Sequence, residues 1–262
     1  MLRVGSGEPL VLLHGVMGSE RHWLDVVPLL SGRYDVVALT ALGHSGGPAP
    51  KERPVTFTAI VDQAERQLDE LSLDRVHLAG NSMGGWMALE LARRGRALSV
   101  CGLSPAGMWD EGGIGRGPTA RRLREALRTG RLTRPALPIL LRSPLIRRFG
   151  LRSVSVDGAR QSAERIIDLT DDMLGCVVAE AILKTDEHFA LFDPLPCPVM
   201  LAWAEHDRIF PEPTFGPRAR ERIPAARYLV LEGVGHVPML DDPQLVARVI
   251  GESIAAADGG AG

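Results

Sequence analysis

The sequence of 262 residues predicts an α/β protein built on a mostly parallel sheet with helices on both faces. Short, continuous apolar runs alternate with segments whose apolar residues recur at helical spacing. Such runs are typical of strands covered on both faces, and their alternation with helices favours parallel pairing. The alternation stops at Ser104 and resumes at Pro198, which indicates an insertion between these points.

Six apolar runs are predicted to be strands, and the segments between them are predicted to be helices. The strands comprise residues 9–14, 34–39, 75–80, 98–103, 199–203 and 228–231. The helices comprise residues 20–30, 56–71, 83–94, 213–223 and 242–256. Thr56 or Thr58 can cap the second helix, since their side chains accept hydrogen bonds from the first turn.

The stretch of residues 105–193 has helical patterns and no strong strand. We therefore predict an α/β core formed by residues 1–104 and 194–262, with residues 105–193 inserted after the fourth strand. The length suits a single domain with a large insertion, and no linker separates two autonomous units.

The composition is typical of a globular protein with a sizeable core, since 45% of the residues are hydrophobic and 24% are charged. The net charge of −2 gives no indication of nucleic-acid binding, and no apolar run is long enough to span a membrane. The start of the chain lacks the layout of a signal peptide, so we expect a cytoplasmic protein. Cys101, Cys176 and Cys197 lack metal-ligand spacing and are expected to be buried free thiols.

The string Gly80-Asn81-Ser82-Met83-Gly84 is a G-x-S-x-G motif. A predicted strand precedes it and a predicted helix follows, so Ser82 lies at a strand-to-helix turn. Glycines two residues before and two after the serine allow a sharp turn, and the helix N-terminus favours negative charge near Ser82. The bare string is common and is often a loop serine, but these flanks favour a nucleophile.

A serine hydroxyl needs an adjacent base, and His236 is the candidate because it directly follows the last predicted strand. The carboxyl ends of parallel strands meet at one edge of the sheet, so Ser82 and His236 are expected to share that edge. Asp207 follows the fifth strand and is predicted to orient the histidine, which gives the chain order Ser, Asp, His. Glu205 is the alternative acid, and His206 is interpreted as a local polar residue.

Acyl transfer places negative charge on a carbonyl oxygen, so hydrogen-bond donors must already face that position. We predict that the N–H of Met83, the residue after the nucleophile, is one donor. The second is assigned to Val16 in the loop after the first strand, with Met17 as the alternative. His14 is interpreted as a polar brace for this loop.

With these residues placed, the chain resembles the α/β-hydrolase superfamily along nearly its full length. The resemblance rests on the His14 loop, the Ser82 turn, Asp207 in WAEHDRIFP and His236 in GVGHVPMLDDP. It implies that residues 105–193 correspond to the family's helical cap, which covers the serine and shapes the substrate pocket.

Three features depart from that family. Almost nothing precedes Pro9, so the antiparallel edge that usually begins the sheet is expected to be short or missing. The loop after the second strand begins at Thr40 and lacks the family's usual aspartate. Ala204 stands where the family usually has glycine, close to the predicted acid.

The turn sequence GNSMGG is similar to that of carbon–carbon bond hydrolases that split ring-cleavage products, although Val237 stands where those enzymes usually have tryptophan.

The leading hypothesis is a serine hydrolase of a carboxylic ester, lactone or thioester that uses no cofactor and no metal. The alternatives are a carbon–carbon bond hydrolase and a non-catalytic ligand-binding relative. A small-molecule substrate with an apolar acyl or alkyl moiety is expected from apolar residues of the insertion, namely Met108, Trp109, Leu137, Ile139, Leu140, Leu141, Leu145, Ile146 and Phe149.

Charge is unevenly distributed within the insertion. Residues 116–152 contain eleven arginines and one acid, whereas residues 153–193 contain nine acids and three basic residues. In one interpretation the two halves neutralise each other, or the arginines form a solvated face. In the other, unpaired arginines attract an acidic carrier protein or an anionic acyl substrate.

Overall fold

The computed structural model describes residues 1–110, 113 and 117–258, and these form a seven-stranded sheet. The strands are β1 (Leu2–Val4), β2 (Glu8–Leu13), β3 (Tyr34–Leu39), β4 (Val76–Asn81), β5 (Ala97–Leu103), β6 (Val199–Ala204) and β7 (Arg227–Leu231). Their spatial order is β1-β3-β2-β4-β5-β6-β7. All neighbouring strands pair in parallel except β1, which pairs antiparallel with β3. The predicted mostly parallel sheet is confirmed.

The antiparallel edge of the sheet is short rather than missing. β1 has three residues, and Leu2 lies opposite Ala38 of β3. Arg3 reinforces this edge by an ion pair with Asp35, in which Nη2 lies 2.6 Å from Oδ2. A short edge strand that carries a charge offers little template for pairing with another chain.

Helices cover both faces of the sheet, as predicted. Within the described ranges they are α1 (Val27–Leu30), α2 (Phe57–Glu70), α3 (Met83–Arg93), α4 (Pro118–Thr133), α5 (Leu137–Leu140), α6 (Pro144–Leu151), α7 (Ala163–Gly175), α8 (Ala179–Leu183), α9 (Glu212–Arg222) and α10 (Pro243–Asp258). Thr56, rather than Thr58, caps α2 by accepting the Ala59 N–H at 3.0 Å. None of these helices is long and apolar enough to cross a lipid bilayer.

The prediction of one helix over residues 20–30 was wrong. The structure has a 3₁₀ turn at Glu20–Trp23 and a separate short helix, α1. Pro28 lies at the start of α1, where a missing N–H costs nothing. In a continuous helix its ring would clash with the carbonyl of Leu24 and one hydrogen bond would be lost.

The central strands are buried on both faces, and alternate side chains enter different cores. In β2, Leu10 and Leu12 pack in a cluster with residues of α1 and α10, whereas Val11 and Leu13 pack in a cluster with residues of α2 and α3. Each such side chain contributes roughly 1.5–3 kcal/mol on full burial. Burial on two faces explains why these strands are continuous apolar runs.

Five helices, α4 to α8, lie between β5 and β6 in the chain, and the described residues of this segment contain no strand. Leu137 and Leu141 pack with Ile166 in a small separate cluster, which holds α5 against α7. This arrangement is compatible with the helical insertion that the sequence indicates. The division into a core (residues 1–104 and 194–262) and a cap (residues 105–193) stays a prediction.

Gly84→Ala tests how closely α3 must pack against the sheet. A Cβ at Gly84 would lie 2.1 Å from the Leu13 carbonyl oxygen, a backbone atom that cannot rotate away. We expect the variant to lose at least about 3 kcal/mol of unfolding free energy in urea denaturation. Gly251→Ala is the control, since nothing lies within 4 Å of a Cβ at that mid-helix position. It should gain about 0.5–1 kcal/mol, and equal stability of the two variants would contradict this packing.

Candidate active site

Ser82 lies at the turn between β4 and α3, where the sequence predicts it. Its backbone has φ 56° and ψ −117°, a conformation that residues with side chains rarely adopt. The Ser82 N–H donates to the Leu103 carbonyl at 2.9 Å, and its own carbonyl accepts from the Ala106 N–H at 2.9 Å. These two bonds hold the strained residue against the end of β5.

Glycines on either side make this turn compact. A Cβ at Gly80 would lie 2.1 Å from the Gly84 carbonyl oxygen, so a larger residue would force strand and helix apart. Met83 is the first residue of α3, and its N–H therefore has no acceptor within the helix. This N–H stays available to an anion beside Ser82.

His236 and Asp207 come from separate loops and are hydrogen-bonded to each other. His236 Nδ1 lies 2.6 Å from Asp207 Oδ2, and both side chains are buried. Asp207 Oδ1 accepts the N–H groups of Ile209 at 2.8 Å and Phe210 at 2.7 Å. The carboxylate thus fixes the orientation of the ring and holds the proton on Nδ1, which leaves Nε2 as the basic nitrogen.

The alternative acid lies apart from this pair. Glu205 is half-exposed, and its carboxylate accepts the Gly233 N–H at 2.8 Å. His206 Nε2 lies 3.6 Å from the same carboxylate, as expected of a local polar residue. The geometry therefore favours Asp207 over Glu205 as the partner of His236.

The loop after β2 passes directly beside the serine. A Cβ at Gly15 would lie 3.2 Å from Ser82 Cβ. Val16 and Met17 line the same cavity as the serine. The Val16 N–H has no hydrogen-bond partner within the part of the chain that the structure describes. It is thus free to act as a donor, and the oxyanion roles of Val16 and Met83 stay predictions.

His14 braces this loop, as the sequence suggests. Its Nε2 accepts the Ala41 N–H at 3.0 Å, and its Nδ1 lies 2.7 Å from the Gly15 carbonyl oxygen. Burial lowers the pKa of His14 to about 3, so the ring is neutral and can accept at Nε2. The start of the loop is thereby tied to the end of β3.

Ser82 and His236 both line a cavity of about 480 Å³. It also contacts Val16, Met17 and Met83. Its other walls are mostly apolar, and six of the apolar residues singled out in the insertion line them, namely Trp109, Leu137, Leu140, Leu141, Ile146 and Phe149. The remaining three, Met108, Ile139 and Leu145, are not part of this lining. The volume is that of a small-molecule site.

Two side chains that the sequence analysis missed hold the histidine loop in place. Asn81 Nδ2 donates to the His236 carbonyl oxygen at 2.8 Å. Asp241 accepts the Gly235 N–H at 2.8 Å and the Ser155 hydroxyl at 2.6 Å. Asn81 stands inside the serine motif, but nothing in its spacing indicates a partner 155 residues away.

The three cysteines lie in surroundings that keep their thiols protonated. The three cysteines are free and buried, as predicted. Burial raises the pKa of Cys101 to about 12 and that of Cys197 to about 11, and it also raises the pKa of Cys176. Protonated thiols are poor nucleophiles. Among the described residues, no group of three or more His, Cys, Asp or Glu side chains could hold a metal ion.

Three further histidines, His14, His22 and His44, cluster beside the site. The ring centroids of His14 and His44 are 5.0 Å apart, and those of His14 and His22 are 6.4 Å apart. Burial is the main cause that lowers the pKa of His22 to about 4 and that of His44 to about 3. All three rings are therefore neutral in the folded protein at neutral pH.

Comparison with known proteins places the chain among hydrolases. Residues 10–249 match the sequence profile of the alpha/beta hydrolase family. An epoxide hydrolase of Mycobacterium tuberculosis is 34% identical over 210 residues, which cover 75% of this chain and 94% of that protein. A pimeloyl-acyl-carrier-protein methyl ester esterase of Aeromonas hydrophila is 27% identical over 95% of this chain and 96% of its own length.

A solved structure gives the same result for the fold. A thermophilic esterase from Thermogutta terrifontis superposes with a TM-score of 0.72, over 98% of this chain and 92% of that chain. The two sequences are 20% identical. At this level of identity the likeness concerns the fold alone.

The three clustered histidines predict a loss of stability in mild acid. Their pKa values are lowered in the folded state, so the unfolded chain binds protons first, near its ordinary value of 6.5. The contribution of the neutral rings to the free energy of unfolding is fully present above that pH. It falls as the pH decreases, by up to about 1.4 kcal/mol per pH unit for each histidine. His44→Gln should flatten the pH dependence by one such increment, measured by urea denaturation between about pH 6.5 and 5.

Val249→Ala is the control for this experiment, because it shortens a buried apolar side chain without removing a titrating group. It should lower stability at every pH and leave the slope as in the wild type. An unchanged slope in His44→Gln would show that this ring is not neutral in the folded protein.

Proposed function

The chain belongs to the alpha/beta hydrolase family, and we propose that it cleaves a carboxylic ester, lactone or thioester through an acyl-enzyme on Ser82. The hydrogen bond between His236 Nδ1 and Asp207 Oδ2 carries this proposal. The histidine lines the same cavity as a serine at a strained turn. A base oriented by a buried carboxylate is what makes a hydroxyl nucleophilic.

In the first step, His236 Nε2 takes the hydroxyl proton of Ser82 as Oγ attacks the carbonyl carbon of the substrate. Asp207 stays ionised and stabilises the imidazolium. The N–H groups of Val16 and Met83 donate to the oxygen on which negative charge develops. The imidazolium then protonates the leaving alkoxide or thiolate, and the acyl group remains on the serine.

In the second step, His236 takes a proton from water as the water oxygen attacks the acyl-enzyme. The tetrahedral intermediate collapses, the proton returns to Ser82 Oγ and the carboxylic acid leaves. Each group regains its starting protonation state, so the cycle balances with water as the only second reactant.

A serine nucleophile favours acyl substrates over the epoxide in the name of the relative from Mycobacterium tuberculosis. If Ser82 opened an epoxide, the product would be an ether bound to the enzyme. An ether has no carbonyl carbon for water to attack, so His236 could not release it. An ester, lactone or thioester instead leaves an acyl group that water removes.

The cavity favours an apolar substrate moiety. Trp86 and Trp109 meet edge to face at 5.4 Å between ring centroids, and Trp109 lies 5.9 Å from Phe210. Phe210 in turn lies 5.3 Å from the His236 ring. These rings offer little hydrogen bonding to water beside the base, and electrostatic interactions are stronger in surroundings of low polarity.

The arginines of the insertion favour a negative charge on the substrate or on a carrier protein that presents it. Two pairs join the halves of the insertion, Arg124 with Glu180 and Arg134 with Asp171, so neutralisation is partial. The guanidinium groups of other exposed arginines have no hydrogen-bond or ion-pair partner among the described residues, namely those of Arg121, Arg128, Arg131, Arg142 and Arg148. Arg116, the first of the eleven arginines in residues 116–152, lies outside the described residues. The exposed set would steer an anionic group towards the cavity.

Replacement of the three proposed catalytic side chains tests the mechanism. Ser82→Ala and His236→Ala should each lower kcat on the order of 10⁴-fold or more, because these groups act as a unit. Asp207→Asn should lower kcat on the order of a thousandfold or more, because the ring loses its tautomer control. Turnover is measured on the best substrate from a panel of esters, lactones, thioesters and dienol ketones.

Glu205→Gln is the matched control, because its carboxylate bonds to Gly233 and not to His236. Near-normal turnover in His236→Ala would contradict the assignment. An inactive Glu205→Gln variant together with an active Asp207→Asn variant would assign the role of orienting His236 to Glu205. Cleavage of the dienol ketones alone would favour a carbon–carbon bond hydrolase, and failure of a fluorophosphonate to label Ser82 would favour a ligand-binding protein.

Salt dependence tests the steering by arginine. We compare kcat/KM for the monomethyl and the dimethyl ester of one dicarboxylic acid, from low to high salt. The anionic monoester should lose kcat/KM steeply as salt screens the arginines, and the neutral diester should not. Replacing Arg142 and Arg148 by Gln should reduce the difference in salt dependence between the two esters.

The control replaces Arg33 and Arg248, which lie outside the insertion, by Gln. It changes the net charge by the same amount and should keep the wild-type salt dependence. Parallel, shallow curves for both esters in the wild type would mean that the arginines do not steer the substrate.

A further inference from the structure

Asp172 is a buried carboxylate that the proposed chemistry does not use. It lies in α7, and its side chain is 2% exposed. The Ser19 hydroxyl donates to Asp172 Oδ2 at 2.6 Å, and Arg21 Nη1 donates to Asp172 Oδ1 at 3.0 Å. Desolvation makes such a charge costly, so two charge-assisted hydrogen bonds to one loop indicate a specific constraint.

Both partners lie immediately after the loop that bears the proposed oxyanion donor. Ser19 is three residues beyond Val16 and begins the 3₁₀ turn Glu20–Trp23, where its hydroxyl also accepts the Arg21 N–H at 3.2 Å. The other end of the loop is held at His14, which accepts the Ala41 N–H at 3.0 Å. The Val16 N–H therefore lies between two fixed points.

The helix that carries Asp172 is also a wall of the cavity. Met173, the next residue, and Thr170 both line the space in front of Ser82. Asp172 thus connects the helix against which the substrate packs to the loop beside the serine. The two partners of the Ser19–Asp172 bond are separated by 153 residues, and the bond joins the insertion to the core.

We propose that Asp172 is a positioning residue, which holds the Val16 N–H where the carbonyl oxygen of the substrate becomes negatively charged. This inference rests on the proposed acyl-enzyme mechanism. A donor stabilises the transition state only if it already points at the developing charge. A displacement of about 1 Å in such a site can lower the rate on the order of a hundredfold.

Asp171 offers a matched comparison from the adjacent position of the same helix. Its carboxylate pairs with Arg134, with Nη2 2.7 Å from Oδ2, and it is 45% exposed. That pair stays within the insertion and does not touch the loop. Asp171→Asn and Asp172→Asn therefore remove the same charge, and only the second removes a constraint on Val16.

The experiment measures kcat and KM, together with Ki for a trifluoromethyl ketone. The ketone adds to Ser82 and places an oxyanion at the position of the substrate oxygen. Asp172→Asn should lower kcat and raise Ki by a similar factor, on the order of tenfold or more, while KM changes less than about threefold. Asp171→Asn should match the wild type in all three constants.

A second variant removes the same bond from the loop. Ser19→Ala should reproduce part of the effect of Asp172→Asn, because the Ser19 bond is one of the two that Asp172 makes to this loop. The double variant should lose no more than Asp172→Asn alone. If Asp172→Asn fails to fold, kcat and Ki of Ser19→Ala still test the inference, since this substitution is the smaller change.

A structural role alone predicts lower thermal stability with unchanged kcat and Ki, and that result would overturn the inference. Labelling of Ser82 by a fluorophosphonate separates this failure from failure of the mechanism. A labelled wild type with normal kcat in Asp172→Asn and Ser19→Ala rejects the role of Asp172 only. An unlabelled wild type rejects the acyl-enzyme mechanism, and the inference with it.

Discussion

The close approach of α3 to the sheet is the constraint on which the rest of the site depends. Virtual Cβ atoms on Gly80 and Gly84 would each lie 2.1 Å from a backbone oxygen, so strand and helix are in contact through their main chains. This contact lets the chain reverse within one residue and forces Ser82 into a positive φ. The strain is tolerated because the backbone groups of Ser82 bond to Leu103 and Ala106. Ser82 is thereby held at the lining of the cavity.

Carboxylates fasten the inserted helices to the core around this turn. Asp172 bonds to the loop after β2, as described above. Asp241 accepts the Val156 N–H at 3.0 Å, and Glu187 accepts the Phe57 N–H at 2.7 Å. Charge-assisted hydrogen bonds are shorter and stronger than neutral ones, so a few of them can fix a helical layer that has little apolar core of its own. The shape of the cavity between the two layers depends on these attachments.

The surroundings of each histidine decide what it can do. His14, His22 and His44 are largely desolvated, and their lowered pKa values keep them neutral at physiological pH. His14 can therefore act as a hydrogen-bond acceptor that supports a loop. His236 differs because a buried carboxylate, Asp207, lies 2.6 Å from its ring and can stabilise a positive charge there. One residue type thus supplies both a neutral brace and a candidate base.

The sequence by itself determined the parallel strands of the sheet, most of the helices that cover it, and the chain order of Ser82, Asp207 and His236 after strands that end at one edge. Local patterns contain this information because buried strands, amphipathic helices and sharp turns each need particular residues at fixed short spacing. Only the tertiary structure decided that Asp207 rather than Glu205 meets His236, and that Asn81, Asp172 and Asp241 hold the surrounding loops. The partners of these last three lie 155, 153 and 86 residues away. Such contacts impose no periodicity on the chain, because a hydrogen bond requires only that folding bring its two groups together.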